Sequence, residues 1–183
     1  MRIIAGKYRG RSLKSPPDGK TRPTSDRLRE TLFNILNPRI NEETRFLDLC
    51  AGSGAVGIEA LSRGVKHVTF VDISRKICGL IEENLDQLEI PEEQTEIFQS
   101  DAEKFVARSA ETFDIVYYDP PYSENYADIL KKFGAAPSQL LSETGVLIAE
   151  HHAKQMLPDL IGELRRWRLL KQGDSCLSFY ERQ

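Results

Sequence analysis

The chain has 183 residues, of which 40% are hydrophobic and 29% are charged, a composition typical of a globular protein with one hydrophobic core. Its three cysteines, Cys50, Cys78 and Cys176, are far apart in the sequence, which argues against a disulfide framework or a zinc knuckle. No apolar run approaches the ~18 residues that a membrane span requires, and residues 1–7 lack the apolar core of a signal peptide. We therefore expect a cytoplasmic protein with no membrane partner.

The net charge of −3 is unevenly distributed along the chain. Residues 1–29 contain nine Lys or Arg and two Asp, whereas the remaining 154 residues contain 16 basic and 26 acidic side chains. A basic segment on an acidic body indicates a polyanionic partner for that segment. The alternative is a solvated basic surface with no partner. Arg9 and Arg11 are one residue apart, so in an extended strand they would point to the same side and contact neighbouring phosphates.

The first part of the chain predicts a small extension. Residues 2–13 mix isolated apolar side chains with two glycines and predict a short hairpin, and Pro16-Pro17-Asp18-Gly19 predicts a turn. Thr24-Ser25-Asp26 can cap a helix that ends before Pro38. We assign residues 1–40 to a basic arm with its helix, and residues 41–183 to a second, catalytic domain.

Strands and helices alternate from residue 45 onward. The predicted strands are Phe46–Cys50, His67–Ile73, Glu96–Ser100, Phe113–Asp119 and Val146–Glu150. The predicted helices are Ala55–Arg63, Ser74–Leu88, Ala102–Ala107 and a longer helical connection after Tyr122. Near-continuous apolar strands separated by helices predict an α/β fold, a doubly wound and mostly parallel sheet covered on both faces. Trp167–Leu170 and Cys176–Tyr180 predict a terminal hairpin.

A glycine-rich loop follows the first of these strands. Gly52, Gly54 and Gly57 form the pattern G-x-G-x-x-G between a strand and a helix, and Asp72 comes twenty residues after Gly52 at the end of the next strand. This pattern is typical of dinucleotide-binding sites, but it does not by itself identify the cofactor.

The acidic residues near the loop favour S-adenosylmethionine over a dinucleotide. Asp48 precedes the loop by four residues, where it would repel a pyrophosphate at the helix N-terminus. It would instead attract the ammonium and sulfonium of S-adenosylmethionine, while Asp72 can accept hydrogen bonds from the ribose hydroxyls and Asp101 from the adenine amine. The alternative is that these acids merely follow strand ends and bind nothing. The predicted cofactor-binding residues are Asp48, Ala51, Gly52, Ser53, Gly54, Asp72, Ile73, Asp101, Ala102 and Asp119.

The fourth strand ends in Asp119-Pro120-Pro121-Tyr122. Two prolines donate no amide hydrogen and hold the backbone rigid, so the carbonyl of Pro120 is left free at the edge of the sheet where α/β sites form. A carboxylate and a carbonyl can accept both N–H groups of an amine attached to an aromatic ring, and Tyr122 can stack on that ring. We predict that these four residues are catalytic. The alternative is a simple turn after a buried strand.

These motifs carry a resemblance to a known family. The Asp-Pro-Pro-Tyr motif is similar to that of class I methyltransferases that use S-adenosylmethionine, and the segments 2–11 and 22–36 closely resemble the bacterial RsmD family. The resemblance covers essentially the whole chain. It implies a Rossmann-like fold and methyl transfer to the N2 amine of one guanine in 16S ribosomal RNA, within the small ribosomal subunit or an assembly intermediate. The predicted RNA-binding residues in the arm are Lys7, Arg9, Arg11 and Arg22.

Several alternatives remain open at this point. A DNA adenine-N6 methyltransferase can share the motif, although this chain leaves little room for a domain that reads DNA sequence. A protein-amide methyltransferase more often has Asn at the position of Asp119, and a non-catalytic RNA-binding assembly factor could retain a relic pocket. Methyl transfer from a sulfonium needs no metal, and His151 and His152 point to opposite faces of a strand, so we expect no metal site. No oligomer is required.

Overall fold

The structure is a computed structural model that describes residues 1–16, 24–121, 126–135 and 140–183. Its α-helices are α1 (Asp26–Leu36), α2 (Ala55–Ser62), α3 (Arg75–Gln87), α4 (Ala102–Arg108) and α5 (Tyr126–Gly134). Its strands are β1 (Arg45–Leu49), β2 (His67–Asp72), β3 (Thr95–Gln99), β4 (Phe113–Tyr118), β5 (Leu141–His152), β6 (Leu160–Ile161), β7 (Leu164–Gln172) and β8 (Ser175–Arg182). None of the helices in these ranges is long and apolar enough to cross a membrane.

All eight strands form one sheet in the order β3-β2-β1-β4-β5-β8-β7-β6. The first five strands pair in parallel, and β8, β7 and β6 extend the sheet in antiparallel fashion. The predicted α/β fold with a mostly parallel, doubly wound sheet is therefore confirmed. The strand order reverses between β1 and β4, and ligands of such sheets bind at the carboxyl ends of the strands at this point.

Alternating side chains of the central strands divide the core into two layers. Phe46 on β1 packs in the cluster that contains the apolar faces of α1, α2 and α3, whereas its neighbour Leu47 packs in the cluster that contains α4 and α5. Asp48 follows in the same alternation and therefore points to the side of α2. Its buried carboxylate accepts a hydrogen bond from the α2 backbone, as described below.

The last part of the sheet is longer than the apolar pattern predicts. β5 begins five residues earlier than predicted, because its polar start, Ser142-Glu143-Thr144-Gly145, lies before the apolar run that marks the buried strand. The terminal hairpin is confirmed, but its strands β7 and β8 extend beyond the predicted bounds, and β6 was not predicted. Antiparallel hydrogen bonds, rather than alternating hydrophobicity, determine the length of these outer strands.

Residues 1–16 fold back on α2 and α3. A single antiparallel bridge joins Arg2 to Ser12, and the backbone N–H groups of Ile4 and Ala5 donate to the two carboxylate oxygens of Glu59 on α2, at 2.8 and 3.0 Å. Apolar side chains of residues 1–40 share one hydrophobic cluster with α2 and α3. The division at residue 40 into an RNA-binding part and a catalytic part is functional and stays a prediction. The predicted turn at 16–19 falls almost entirely outside the described residues.

The close contact between the arm and α2 depends on a glycine. Gly6 has a φ of +81°, and a Cβ atom at this position would lie 1.7 Å from the backbone oxygen of Ser62. That oxygen accepts a hydrogen bond from the backbone N–H of Lys7 at 2.7 Å. Only glycine provides both the left-handed backbone and the space for this approach.

Candidate active site

A cavity of about 750 Å³ opens at the carboxyl ends of β1, β2, β4 and β5. The described residues around it contribute five carboxylates and no Lys, Arg or His side chain. These carboxylates belong to Asp48, Asp72, Asp101, Asp119 and Glu150. Because a phosphate-bearing ligand would meet these acidic groups and no basic side chain of the described lining, the electrostatics of the cavity favour a cationic ligand.

The glycine-rich loop forms one wall of this cavity. Gly54 is the N-cap of α2 with a φ of 74°, a backbone conformation that other residues rarely adopt. At Gly57, a Cβ atom would lie 2.3 Å from the ring of Phe70 on β2, so this glycine allows the helix to lie against the strand. On the outer side of the loop, the buried Asn84 of α3 donates to the carbonyl oxygen of Ser53 at 3.1 Å. Asn84 also hydrogen-bonds both backbone groups of Lys14, and it therefore connects the arm to the loop.

Asp48 is the most deeply buried of the predicted cofactor-binding acids. Its side chain is almost inaccessible, and one carboxylate oxygen accepts a hydrogen bond from the backbone N–H of Gly57 at 2.9 Å. Burial, with a smaller contribution from the nearby charge of Asp72, raises the pKa of Asp48 to about 8 against the opposing effect of the Gly57 hydrogen bond. A buried carboxylate that is costly to ionise is stabilised by a cation, which makes Asp48 a suitable partner for a positively charged ligand.

Asp72 lies at the end of β2 and joins the loop to the next helix. One carboxylate oxygen accepts from the backbone N–H of Gly52 at 3.2 Å and the other from that of Ser74 at 2.9 Å. Burial raises the pKa of Asp72, and these two hydrogen bonds partly offset the effect. The next residue, Ile73, is 68% exposed at the cavity rim, where a flat aromatic ring can cover it.

Asp101 and Ala102 line the cavity beyond Ile73. Asp101 is the N-cap of α4, and its carboxylate accepts a hydrogen bond from the backbone N–H of Lys104 at 3.0 Å. The structure thus brings every predicted cofactor-binding residue except Gly54 into the lining, and Gly54 supports the loop from behind.

Asp119, Pro120 and Pro121 form the part of the rim that follows β4. The backbone N–H of Asp119 donates to the carbonyl oxygen of Leu49 at 3.3 Å, which keeps the ends of β4 and β1 together. Burial raises the pKa of Asp119 well above its ordinary value, and the charges of Glu150 and Asp48 add to this effect. Tyr122 lies outside the described residues.

The cavity also contains a group of hydrogen-bonded side chains that was not predicted from the sequence, formed by Glu150, Tyr117 and Thr24. Glu150 on β5 is buried, and its Oε2 accepts hydrogen bonds from the hydroxyl of Tyr117 on β4 and from that of Thr24, the latter at 3.3 Å. Burial and the charge of Glu150 raise the pKa of Tyr117 well above its ordinary value, so Tyr117 remains a hydrogen-bond donor. The sequence did contain a signal for Glu150: like the aspartates of the cavity, it lies near the end of a predicted strand.

The predicted RNA-binding residues of the arm have different environments. Lys7 and Arg9 are exposed, but Arg9 lies in a turn, and Arg11 donates through Nη2 to the carbonyl oxygen of Gln87 at 2.7 Å. The expectation that Arg9 and Arg11 point to one side of an extended strand is therefore wrong, because the hairpin turns between residues 5 and 10. Arg22 lies outside the described residues.

Arg29 contributes to the positive charge of residues 1–29, but its side chain is not on the protein surface. It is fully buried, donates to the backbone oxygen of Arg2 at 2.6 Å and forms ion pairs with Asp26 and Glu59. Its charge therefore serves the attachment of the arm. In the part of the chain that the structure describes, no group of three or more His, Cys, Asp or Glu residues is arranged to hold a metal ion.

Comparisons with known proteins agree with this architecture. A family model described as Conserved hypothetical protein 95 matches residues 1–181. The Bacillus subtilis protein YlbH is 37% identical over 186 residues, which span the whole of both chains. The "Ribosomal RNA small subunit methyltransferase D" of Escherichia coli K12 is 33% identical over 187 residues, which cover 100% of this chain and 90% of that protein.

The fold has solved counterparts as well. The Escherichia coli protein yhhF superimposes with a TM-score of 0.85 at 31% identity, over 100% of this chain and 98% of the other. The sequence resemblance is thereby confirmed, and the chain belongs to the Conserved hypothetical protein 95 family, the RsmD family of methyltransferases.

Proposed function

We propose that this protein uses S-adenosylmethionine to methylate the exocyclic N2 amine of a guanine in 16S ribosomal RNA, in the cytoplasm. The observation that carries the proposal is one cavity in which a carboxylate-lined glycine loop faces the Asp119-Pro120-Pro121 segment. The names of the family's ribosomal RNA methyltransferases support the choice of substrate.

The residues of the cavity fit this cofactor. Asp48 and Asp119 would attract its positively charged end, Asp72 would accept hydrogen bonds from its ribose hydroxyls, and Ile73, Asp101 and Ala102 would contact its adenine ring. When bound, S-adenosylmethionine supplies a methyl group bonded to a sulfonium sulfur. An amine lone pair can attack this methyl carbon and displace the sulfur as a neutral thioether. The loop backbone from Ala51 to Gly54 can approach the ligand closely because the glycines lack side chains.

The residues after β4 would hold the amine. Asp119 and the carbonyl of Pro120 accept its N–H groups, which directs the nitrogen lone pair away from the ring and towards the methyl group. Since this amine is conjugated and weakly nucleophilic, positioning supplies most of the rate enhancement. Asp119, with its raised pKa, is also a better proton acceptor than an exposed aspartate once it is ionised. Pro121 and Tyr122 would contact the base, which must leave its stack to enter the cavity.

The arm would bind the RNA backbone around the target base. Lys7, Arg9 and Arg11 are exposed cations of the arm, and Arg22 completes the proposed set. Because the rest of the chain is acidic, RNA would be held chiefly at this segment.

A parallel transfer assay tests the proposal. In separate reactions, the protein is incubated with methyl-labelled S-adenosylmethionine and one of four substrates: 16S RNA, small ribosomal subunits, DNA or total protein. The products are digested to identify the labelled species. We expect N2-methylguanosine from 16S RNA or from small subunits, and at least ~100-fold less of it from the Asp119→Ala variant, which lacks the acceptor for the amine. Label in N6-methyladenine from DNA would refute the proposal in favour of a DNA methyltransferase. Cofactor binding without transfer to any substrate would instead indicate a non-catalytic RNA-binding factor.

A further inference from the structure

A second carboxylate, that of Glu150, lies in the cavity with Asp119. Glu150 extends from β5, the strand next to β4, and is only 5% exposed. Tyr118 on β4 pairs with Ala149 on β5, so the next residues, Asp119 and Glu150, lie side by side where β4 ends, and the charge of Glu150 contributes to the raised pKa of Asp119. Both residues line the same cavity.

Glu150 is held in one position by its neighbours. The hydroxyls of Tyr117 and Thr24 both donate to Oε2, and these two hydroxyl oxygens are themselves 3.4 Å apart. A carboxylate oxygen has two lone pairs, so these donors occupy Oε2. The described hydrogen bonds leave Oε1 as the oxygen available to a ligand in the cavity.

The arrangement of donors on the bases determines which base this pair can accept. Guanine presents an N1–H donor directly beside its N2 amine, so two adjacent acceptors satisfy it. Adenine and cytosine present an unprotonated ring nitrogen beside their amine, and its lone pair would face a carboxylate. A buried acceptor without a donor is costly, so such a site rejects these bases strongly.

We propose, on the basis of the function proposed above, that Glu150 accepts the N1–H of the target guanine while Asp119 accepts its N2 amine. Glu150 is then a specificity-determining residue: it selects guanine over every base whose ring nitrogen beside the amine is unprotonated. Tyr117 and Thr24 are positioning residues that hold the Glu150 carboxylate.

The test uses an RNA in which the target guanine is replaced by 2-aminopurine. This base retains the amine at position 2 but has a lone pair at N1 in place of the hydrogen. We compare kcat/KM for the guanine and 2-aminopurine RNAs in the wild type, in Glu150→Gln and in the matched control Glu143→Gln. Glu143 is an exposed residue near the opposite end of the same strand.

We expect the wild type and Glu143→Gln to prefer guanine by at least ~100-fold, the scale on which a site built for one hydrogen bond rejects a base that lacks it. In Glu150→Gln the amide can donate to N1, so turnover of the 2-aminopurine RNA should rise, turnover of the guanine RNA should fall, and the preference should shrink by ~100-fold. 2-Aminopurine also lacks O6, but this difference is the same for all variants and cancels when the preferences are compared. The affinity for S-adenosylmethionine should change less than threefold.

Each outcome decides between the two proposals. If the wild type methylates both RNAs equally, or if Glu150→Gln retains the wild-type preference, the assignment of Glu150 is wrong and the proposed function stands. If the wild type methylates no guanine RNA, the proposed function fails and this assignment with it. Should Glu150→Gln not fold, Tyr117→Phe removes one donor to Oε2 and should reduce the preference about tenfold, and an unchanged preference would overturn the assignment.

Discussion

The raised pKa of Asp48 predicts how cofactor binding depends on pH. In the free protein Asp48 has a pKa of about 8 and is mostly protonated at neutral pH. A bound cation favours the ionised form, so binding at neutral pH should release close to one proton. If the pKa falls to ~6 in the complex, the affinity for S-adenosylmethionine rises by roughly 25-fold between about pH 6 and about pH 8, since each unit of pKa corresponds to ~1.4 kcal/mol.

Asp48→Asn isolates this effect, because its amide oxygen can still accept the Gly57 hydrogen bond. We expect the variant to bind about as well as the wild type near pH 6, to bind roughly 25-fold more weakly near pH 8 and to release no proton. Isothermal titration calorimetry in two buffers with different ionisation enthalpies measures both the affinity and the proton count. The interpretation is wrong if the wild type releases no proton, or if the pH dependence persists in Asp48→Asn and disappears in Asp119→Asn.

Asp48→Asn should also change the stability of the folded protein. Near pH 8, where it should weaken cofactor binding, it should make the folded protein more stable. Asp48 ionises near its ordinary pKa in the unfolded chain and near 8 in the folded protein, so folding takes up a proton between these values. The wild type therefore loses stability as the pH rises from about 4 to about 8, by up to roughly 5 kcal/mol. We expect Asp48→Asn to melt several degrees higher than the wild type near pH 8 and at the same temperature near pH 4. Equal melting temperatures near pH 8 would show that Asp48 is not costly to ionise in the folded protein.

Three further predictions concern catalysis, the arm and its attachment. Asp119→Ala removes an acceptor for the N2 amine and should lower single-turnover methyl transfer by at least ~10²-fold, with a much smaller change in cofactor affinity; near-normal turnover would exclude this role. Glu59→Gln leaves the buried Arg29 without one of its two ionised partners and should reduce the free energy of unfolding, measured in urea, by ~3 kcal/mol, whereas a loss below ~1 kcal/mol would show that Asp26 suffices. Replacing the exposed Lys7 and Arg9 with Glu should weaken RNA binding and flatten the log–log salt dependence by ~1.4, at ~0.7 for each lost phosphate contact. That double variant should bind S-adenosylmethionine normally, and unchanged RNA affinity and slope would show that the arm does not hold the RNA.

The apolar runs that alternate with helical segments predicted both ends of β1, β2, β3 and β4 to within one residue. β1, β2 and β4 are mostly buried, so their hydrophobic runs and their boundaries coincide, whereas β3 lies at the edge of the sheet and is largely accessible. β5, β7 and β8 were predicted too short, because polar residues flank their apolar runs and the strands continue past these residues by pairing with their neighbours. β6 has only two residues and pairs with β7 alone, so no periodic pattern marks it.

The sequence by itself determined the chemical character of the candidate site. Asp48, Asp72, Asp101 and Asp119 each occur at or just after a predicted strand, and parallel strands place these ends at one edge of the sheet. The glycine loop was recognisable as well, because its residues are contiguous in the sequence. Local order along the chain was therefore sufficient to predict four of the five carboxylates that line the cavity.

Only the tertiary structure decided which groups interact across the chain. Thr24 and Glu150 are 126 residues apart and meet at one carboxylate oxygen, and Arg29, counted among the basic residues of the arm, is buried against Glu59. The pKa of Asp48 likewise depends on burial that its neighbours in the sequence do not reveal. Charge is a property of the residue, but its exposure, its partners and its free energy of ionisation are set by packing between distant segments.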